Sequence, residues 1–247
     1  MKRNIRLTIS YDGSRYDGWQ KQGNTSNTIQ GKLEAVLERM TGVPTEVHGS
    51  GRTDAGVHAK AQEANFYTDI DTNVEKIKSY LNEYLPEDIA VLSVIEEKER
   101  FHARLSAVEK EYVYRIWNST VPNVFERKYL YRLSESLDVV AMQKAAESFL
   151  GEHDFKSFCG NKRMKKSTVR KVSDVKIEKL GEEIRITYRG NGFLYHMVRI
   201  MTGTLVEVGL GKRTPEEILE ILEKKDRQAA GYLAPAEGLC CEVPYKT

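Results

Sequence analysis

The sequence predicts an α+β chain, on three observations. Short segments alternate apolar and polar residues, longer segments repeat apolar residues at helical spacing, and Gly or Pro punctuates the joins. In residues 1–100 these run strand, helix, strand, strand, helix, strand. That order is the ferredoxin-like split unit, an antiparallel sheet with both helices on one face. Residues 101–247 offer a comparable set, so two ferredoxin-like (RRM-like) halves are expected, divided at 100/101. No residue-level repeat links them; the duplication rests on element order.

Residues 5–11 (IRLTISY) alternate as a half-buried strand does. Residues 12–27 are rich in Gly, Asp, Asn, Ser and Thr and read as a long loop. Thr28 suits a helix cap, Ile29, Leu33, Val36, Leu37 and Met40 share a face, and Gly42-Val43-Pro44 ends the helix. Residues 45–50 and 57–67 read as strands around SGRTDAG. Residues 73–85 form a second helix stopped by Pro86, and 89–95 (IAVLSVI) a buried strand. Further on, 110–117 reads as a strand and 136–150 as a helix. Residues 169–180 and 183–189 read as a strand pair about Gly181. Residues 195–209 and 215–224 read as helices, and 238–245 as a closing strand.

The chain has 247 residues, 40% hydrophobic and 30% charged, enough for a substantial core. No apolar run is long enough to span a bilayer, and MKRNIRLTIS does not resemble a signal peptide. Three cysteines, two of them adjacent, make a poor disulfide framework and suit a reducing cytoplasm. Net charge is only +2, but its distribution is uneven. Residues 1–100 carry 13 Lys and Arg against 16 Asp and Glu; residues 101–247 carry 25 against 20. Lys156, Lys162, Arg163, Lys165, Lys166, Arg170 and Lys171 fall within 156–171 with no acid. Such a run is either a solvated loop or a phosphate-binding arm.

The densest candidate for chemistry is Gly49 to Ala59, GSGRTDAGVHA. Its glycines allow unusual backbone angles and close approach of another chain. They hold Arg52 and Asp54 at a turn between strands. On composition alone Asp54 is a turn residue bonding its own backbone, or half of a surface ion pair. CxxC pairs, HExxH, P-loop and dinucleotide fingerprints are absent, which weakens metal and nucleotide-cofactor readings. Asp54 has no carboxylate partner in a comparable motif, which weakens a glycosidase reading. An RNP motif of exposed aromatics is also absent, which weakens a purely RNA-binding reading.

The fuller string GRTDAGVHA resembles the catalytic motif of the tRNA pseudouridine synthase A (TruA) family. The resemblance extends along the chain. It includes Tyr11-Asp12-Gly13 with Tyr16, Gly18, Trp19 and Gln20, then Leu81-Asn82 and Leu85-Pro86-Glu87-Asp88-Ile89. Phe101-His102-Ala103-Arg104, Lys110-Glu111-Tyr112-Val113-Tyr114, Asp154-Phe155, Gly192 to Arg199, and Ala234-Pro235-Ala236 follow in order.

The resemblance implies isomerisation of uridine to pseudouridine in tRNA, at positions 38 to 40 of the anticodon arm, without cofactor or metal. It aligns Asp54 with the catalytic aspartate, which acts at the sugar C1′, at C6 of the base, or by promoting a glycal. It aligns Arg199 with the arginine that pairs with this aspartate; such a partner favours the ionised carboxylate. Tyr112 aligns with the active-site tyrosine, whose ring can stack on uracil. Arg52 is assigned to RNA contact. The basic arm, with Lys162, Arg163, Lys165, Lys166 and Arg170, leads the candidates for phosphate contact, followed by Arg15, Lys60 and Arg104. Sheets joined edge to edge around a central basic cleft, a homodimer, a cytoplasmic location and no membrane association are expected. His58, His102 and His196 are read as core histidines; if 195–209 is a helix, Tyr195 and His196 each share a face with Arg199. Glu63, Asn65, Glu109 and Glu111 depart from the family pattern, and the acids among them, if near the groove, would alter which stem positions bind.

Overall fold

The computed structural model describes residues 2–243, with the side chain of Val243 outside that description. The chain divides into two compact units. The first runs to Val108 and takes in the chain again from Cys240; the second spans Glu109–Leu239. The sequence places the division eight residues earlier and gives the C-terminal strand to the second part. Positions 244 and 245 of the expected closing strand lie outside the described residues.

In the first unit β1 (Arg3–Tyr11) pairs antiparallel with β3 (His58–Thr68) and β4 (Ile89–Glu97), and β2 (Val47–Gly49) pairs antiparallel with β3. The order is β4-β1-β3-β2, and β10 (Leu239–Val243) adds to β3 in parallel through Cys240 and Cys241. Helix α1 (Ile29–Thr41) packs on α2 (Val74–Tyr84), and α2 on β4. Thr28 caps α1 by accepting from the Gly31 N–H at 3.1 Å, and Gly42 ends it at φ 75°. That is the left-handed conformation glycine adopts at least cost. Asn73 caps α2 in the same way, at Lys76 N–H. Ile29, Leu33, Leu37, Ile77 and Leu81 are buried with Ile5, Leu7 and Ile9.

β4 is not the two-sided buried strand expected. Leu92 and Ile95 are 47% and 44% exposed. A register shift opposite Thr8 and Ile9 resets the alternation there. Asn82 takes up the disturbed backbone, donating to Val91 C=O at 2.9 Å and accepting from Val91 N–H at 2.8 Å.

β3 is buried on both faces. Its polar face carries a ladder of paired groups. Glu63, 1% exposed, accepts from Arg6 Nε at 2.6 Å and Thr8 Oγ1 at 2.8 Å. Arg6 also pairs with Glu97 and lies over the Phe101 ring. Asn65 accepts from Ala103 N–H and donates to Asn4 Oδ1, both at 2.9 Å. Glu63 and Asn65 therefore serve the interior. Their carboxylate and amide are taken up by protein partners, contrary to the expectation of acids facing substrate.

In the second unit β5 (Lys110–Asn118), β9 (Glu183–Gly190), β8 (Val169–Leu180) and β7 (Gly151–Asp154) form an antiparallel order β5-β9-β8-β7. β6 (Tyr131–Leu133) runs parallel to β5. β6 and β7, three and four residues long, are too short to show a period. Helix α3 (Val139–Glu147) packs on α4 (Met197–Gly209) and on β8, and α5 (Glu217–Lys224) follows. α3 starts three residues later than expected because Asp138 caps it, accepting from Ala141 N–H at 3.0 Å. Residues 148–150 tighten into i to i+3 bonds before Gly151 at φ 99°. α4 is buried along nearly its whole length, and Ala230–Ala234 runs directly against it. A Cβ on Gly203 would lie 2.0 Å from the Tyr232 carbonyl. Glu111 pairs with Arg189, and Glu109 accepts from Ser173 Oγ at 2.8 Å.

Among the described residues no helix is long and apolar enough to cross a membrane, and no group of three or more His, Cys, Asp or Glu is placed to hold a metal ion.

Candidate active-site loops

In the first unit the loop between β2 and β3 carries Asp54. Its two flanks are fixed by the long loop after β1. Trp19, fully buried, donates its backbone N–H to Thr53 C=O at 3.0 Å and lies over Gly49, where a Cβ would come within 2.4 Å of the indole. Gly18 (φ 93°) leaves the Thr53 carbonyl 2.8 Å from the place a Cβ would occupy. Gly13 is closer still to the Val57 backbone, with a Cβ position 2.0 Å from its carbonyl oxygen. Any side chain at these glycines would push the loop away. The glycine-rich stretch 12–27 is therefore an ordered brace, with a 3-10 turn at Gly13–Arg15.

Side chains complete the brace. Tyr11 Oη and Thr53 Oγ1 are 2.8 Å apart in a buried hydrogen bond, one residue before Asp54. Gln62 Nε2 donates to Gly51 C=O at 2.7 Å. Tyr16 donates to Asp88 at 2.5 Å, and burial with that carboxylate holds its phenol well above the ordinary range. Gly13 N–H donates to His58 Nδ1 at 3.0 Å, and Asp12 Oδ1 lies 3.2 Å from the same nitrogen, so His58 is a core histidine held at Nδ1. Asp54 itself is half-buried, with Arg52 beside it exposed and donating to Gln20 Oε1 at 2.9 Å. Replacing Tyr11 by Phe is expected to lower stability by about 1–2 kcal/mol, read from chemical denaturation, since one buried hydrogen bond goes. Unchanged stability would show that the bond braces nothing.

In the second unit Tyr112 lies on β5 opposite Tyr188 of β9. It is 8% exposed and meets Phe193 edge-on, with centroids 5.5 Å apart. Tyr114 is a core residue, donating to Pro235 C=O at 2.7 Å. Arg199, half-buried on α4, donates from Nε to Ala234 C=O at 2.8 Å, and Ala234 N–H donates back to the Arg199 carbonyl at 3.2 Å. The guanidinium is thus fixed near its Nε end by the same strand of chain that packs on α4.

Helix α4 begins at Met197, two residues later than expected. His196 sits at φ 63°, a left-handed angle no helix contains. Tyr195 and His196 thus lie outside the helix and do not share a helical face with Arg199. His196 and His102 are half-buried rather than core; burial and neighbouring His48 lower the pKa of His102.

The basic residues separate into two kinds. Lys162, Arg163, Lys165 and Lys166 are exposed and stand on the loop between the 3-10 turn Phe155–Phe158 and β8. Arg170 is half-buried and donates to Ser167 and Val169 carbonyls at 3.0 and 2.6 Å, so it closes the loop from within. Arg15 and Lys60 are exposed but paired with Asp88 and Glu242 at 2.6 Å each, and Arg104 is exposed. Sequence reasoning notes Asp154 within Asp154-Phe155 but gives it no role. It accepts from Thr168 Oγ1 at 2.5 Å and pairs with Lys225 at 3.1 Å, closing the base of the basic loop. Its hydrogen bonds and Lys225 hold its carboxyl below the ordinary range although burial opposes them.

Known proteins bear directly on these two loops. The chain is 49% identical to a "tRNA pseudouridine synthase A" of Bacillus sp. (strain KSM-64) over 239 residues, 97% of this chain and 98% of that one. It is 47% identical to a "tRNA pseudouridine synthase A 2" of Bacillus anthracis at the same coverage. It is 48% identical to a "tRNA pseudouridine synthase A" of Brevibacillus brevis over 246 residues, 99% and 100% of the two chains. Among solved structures, a chain of a Cbf5-Nop10-Gar1 complex is similar over 82% of this chain and 45% of that one, at TM-score 0.37 and 13% identity. The profile of the tRNA pseudouridine synthase family matches residues 7–105, with Asp54 and its brace, and 145–246, with the basic loop and Arg199. With matches of that extent on both sides of Tyr112, the chain belongs to the tRNA pseudouridine synthase family.

Proposed function

We propose that the chain isomerises uridine to pseudouridine in the anticodon arm of tRNA, at positions 38 to 40, with Asp54 as the nucleophile. The observation that carries the proposal is the family match over nearly the whole chain, joined to a braced glycine loop that leaves Asp54 half-buried. The atoms balance without a second substrate. The N1–C1′ bond breaks, a C5–C1′ bond forms, C5 loses its proton to solvent and N1 gains one. In this reading Arg199 stabilises the ionised Asp54, Tyr112 stacks on the uracil and Arg52 contacts RNA. The resemblance also supports a homodimer, two ferredoxin-like halves about a basic cleft, and work in the cytoplasm. The order β4-β1-β3-β2 supports the ferredoxin-like reading of the first unit.

A uridine in a stem-loop must leave its stack before a carboxylate reaches its glycosidic bond, at a cost of a few kcal/mol. Phosphate contacts offset that cost, and the four exposed cations of the basic loop are the source we assign. Replacing Lys165 and Lys166 by alanine is expected to lessen the slope of log affinity against log salt by about 1 for each lysine. An unchanged slope would remove these residues from the RNA surface. The proposal as a whole is tested by tritium release from tRNA labelled with [5-³H]uridine. Release by the native protein is expected. Tight binding of several such tRNAs without release would favour a non-catalytic RNA-binding protein.

A further inference from the structure

The loop Asn191–His196 is the join between β9 and α4, and the basic loop grips it from both sides. At one stem, Gly160 N–H donates to Tyr195 C=O at 2.9 Å, and a Cβ on Gly160 would lie 2.6 Å from His196 Nδ1. At the other stem, Asn191 N–H donates to Lys171 C=O at 3.0 Å, and Lys171 N–H donates to Asn191 Oδ1 at 3.1 Å. A Cβ on Gly192 would be 3.9 Å from Arg170 Nε. The chain is thus pinned on both flanks, and the exposed cations Lys162, Arg163, Lys165 and Lys166 lie between the two stems in sequence.

Within this grip Tyr195 is 56% exposed, while its ring stacks on that of His196 with centroids 3.6 Å apart and planes 26° apart. The left-handed backbone at His196 folds one ring onto its neighbour. Non-glycine residues seldom hold that angle, and such residues cluster at functional sites. One face of the phenol is supported by the imidazole. The residue as a whole is 56% exposed, and the loop that bonds its carbonyl carries four exposed cations. Two residues earlier the same loop places Phe193 against Tyr112.

We propose that Tyr195, backed by His196, is a stacking platform for a nucleobase of the bound tRNA other than the target uracil. An occupant of this place needs a flat π-face and a neighbouring negative charge, and a nucleotide supplies both. Stacking on an aromatic side chain is tolerant of sequence, because every base has a π-face. The platform therefore adds affinity for an unpaired or splayed loop nucleotide and does not choose among bases. This inference rests on the reading of the chain as a tRNA-modifying enzyme.

The test compares native protein with Tyr195→Ala, Tyr195→Leu and Tyr195→Phe. Each is measured for equilibrium binding to an unmodified tRNA transcript and for tritium release at saturating tRNA. Tyr195 is exposed, so the variants are expected to keep the native melting temperature. Ala and Leu are expected to weaken binding at least tenfold, with release at saturation changed less than threefold, and Phe to bind as the native protein does. That split separates a stacking face from a merely structural residue. Binding by Ala or Leu equal to native would overturn the platform. So would a loss with Phe as large as with Ala, since the hydroxyl would then be the contact. The synthase reading fails separately, through absence of tritium release by the native protein.

Discussion

Replacing Asp54 by alanine is expected to abolish release of tritium from [5-³H]uridine-labelled tRNA while leaving binding within a few-fold of native. The loss should be on the order of 10⁴-fold or more, the scale seen when a nucleophile is removed from a group of residues that act as a unit. Binding should survive because Asp54 is one half-buried residue on a loop held by others. Thr53, Trp19, Gly51 and Gly56 take their hydrogen bonds through the backbone or through Tyr11, Gln62 and Tyr16. The loop should keep its course without the carboxylate. Substitution by asparagine, which keeps the volume and removes the charge, should be as inactive as alanine. Release by either variant within tenfold of native would mean that Asp54 does not carry the chemistry.

The second large effect is expected far from the chemistry. Glu63→Ala should lower stability by about 3–5 kcal/mol, the range for breaking a buried ion pair by removing one partner. Arg6 is only 14% exposed in its side chain, so it loses its buried partner without gaining water. Glu97, at 3.1 Å from Arg6, offsets part of that loss, which favours the lower end of the range. The half-buried Thr8 contact goes too. Urea unfolding followed by far-UV circular dichroism reads the effect as a fall in midpoint. Joint replacement of Arg6 by Met and Glu63 by Leu should cost less than the sum of the single changes, since no unpaired charge is then buried. A Glu63→Ala midpoint equal to native would show that the pair is worth no more than a surface contact. Tritium release by Glu63→Ala at a temperature where it is folded should match native, in keeping with a carboxylate that faces the interior.

The parts of the fold legible in the sequence are those whose signal is local. Thr28 and Gly42 bracket α1 because a cap and a left-handed stop are properties of one or two residues. β1 reads from its alternation, and the segments of β5, β8 and β9 read as strands. β4 misled because its continuous apolar run reads as burial on both faces, whereas it is an edge strand with a bulge at Leu92, set by a partner, β1, about eighty residues away. α4 misled because periodicity in 195–209 is helical from Met197 on, while a single backbone angle at His196 sets the start.

The candidate site divides in the same way. Asp54, Tyr112 and Arg199 could be named from motif resemblance. The brace under Asp54 could not, because it is made by close approach. The glycines of Gly49 to Ala59 signalled close approach, but what approaches them and Gly13 and Gly18 shows only when Val57, Thr53 and Trp19 are seen against them. Glu63 and Asn65 looked like charge and polarity turned to substrate; their partners Arg6 and Asn4 lie on another strand. The basic run read as one patch, yet Arg170 spends its guanidinium on the loop's own carbonyls. Asp154, at the base of that loop, joins residues 14 and 71 positions away, a pattern no local window contains.

The proposed reaction is conversion of uridine to pseudouridine in tRNA through Asp54. Nucleoside analysis of an unmodified tRNA transcript after incubation with native protein or with Asp54→Ala tests it most directly. Native protein is predicted to lower uridine by one mole for each mole of pseudouridine gained, with total nucleoside unchanged, and the Asp54→Ala protein to leave both at their starting values. Pseudouridine formed at comparable rates by both proteins, or uridine unchanged by native protein across transcripts carrying uridine at 38, 39 and 40, would contradict it.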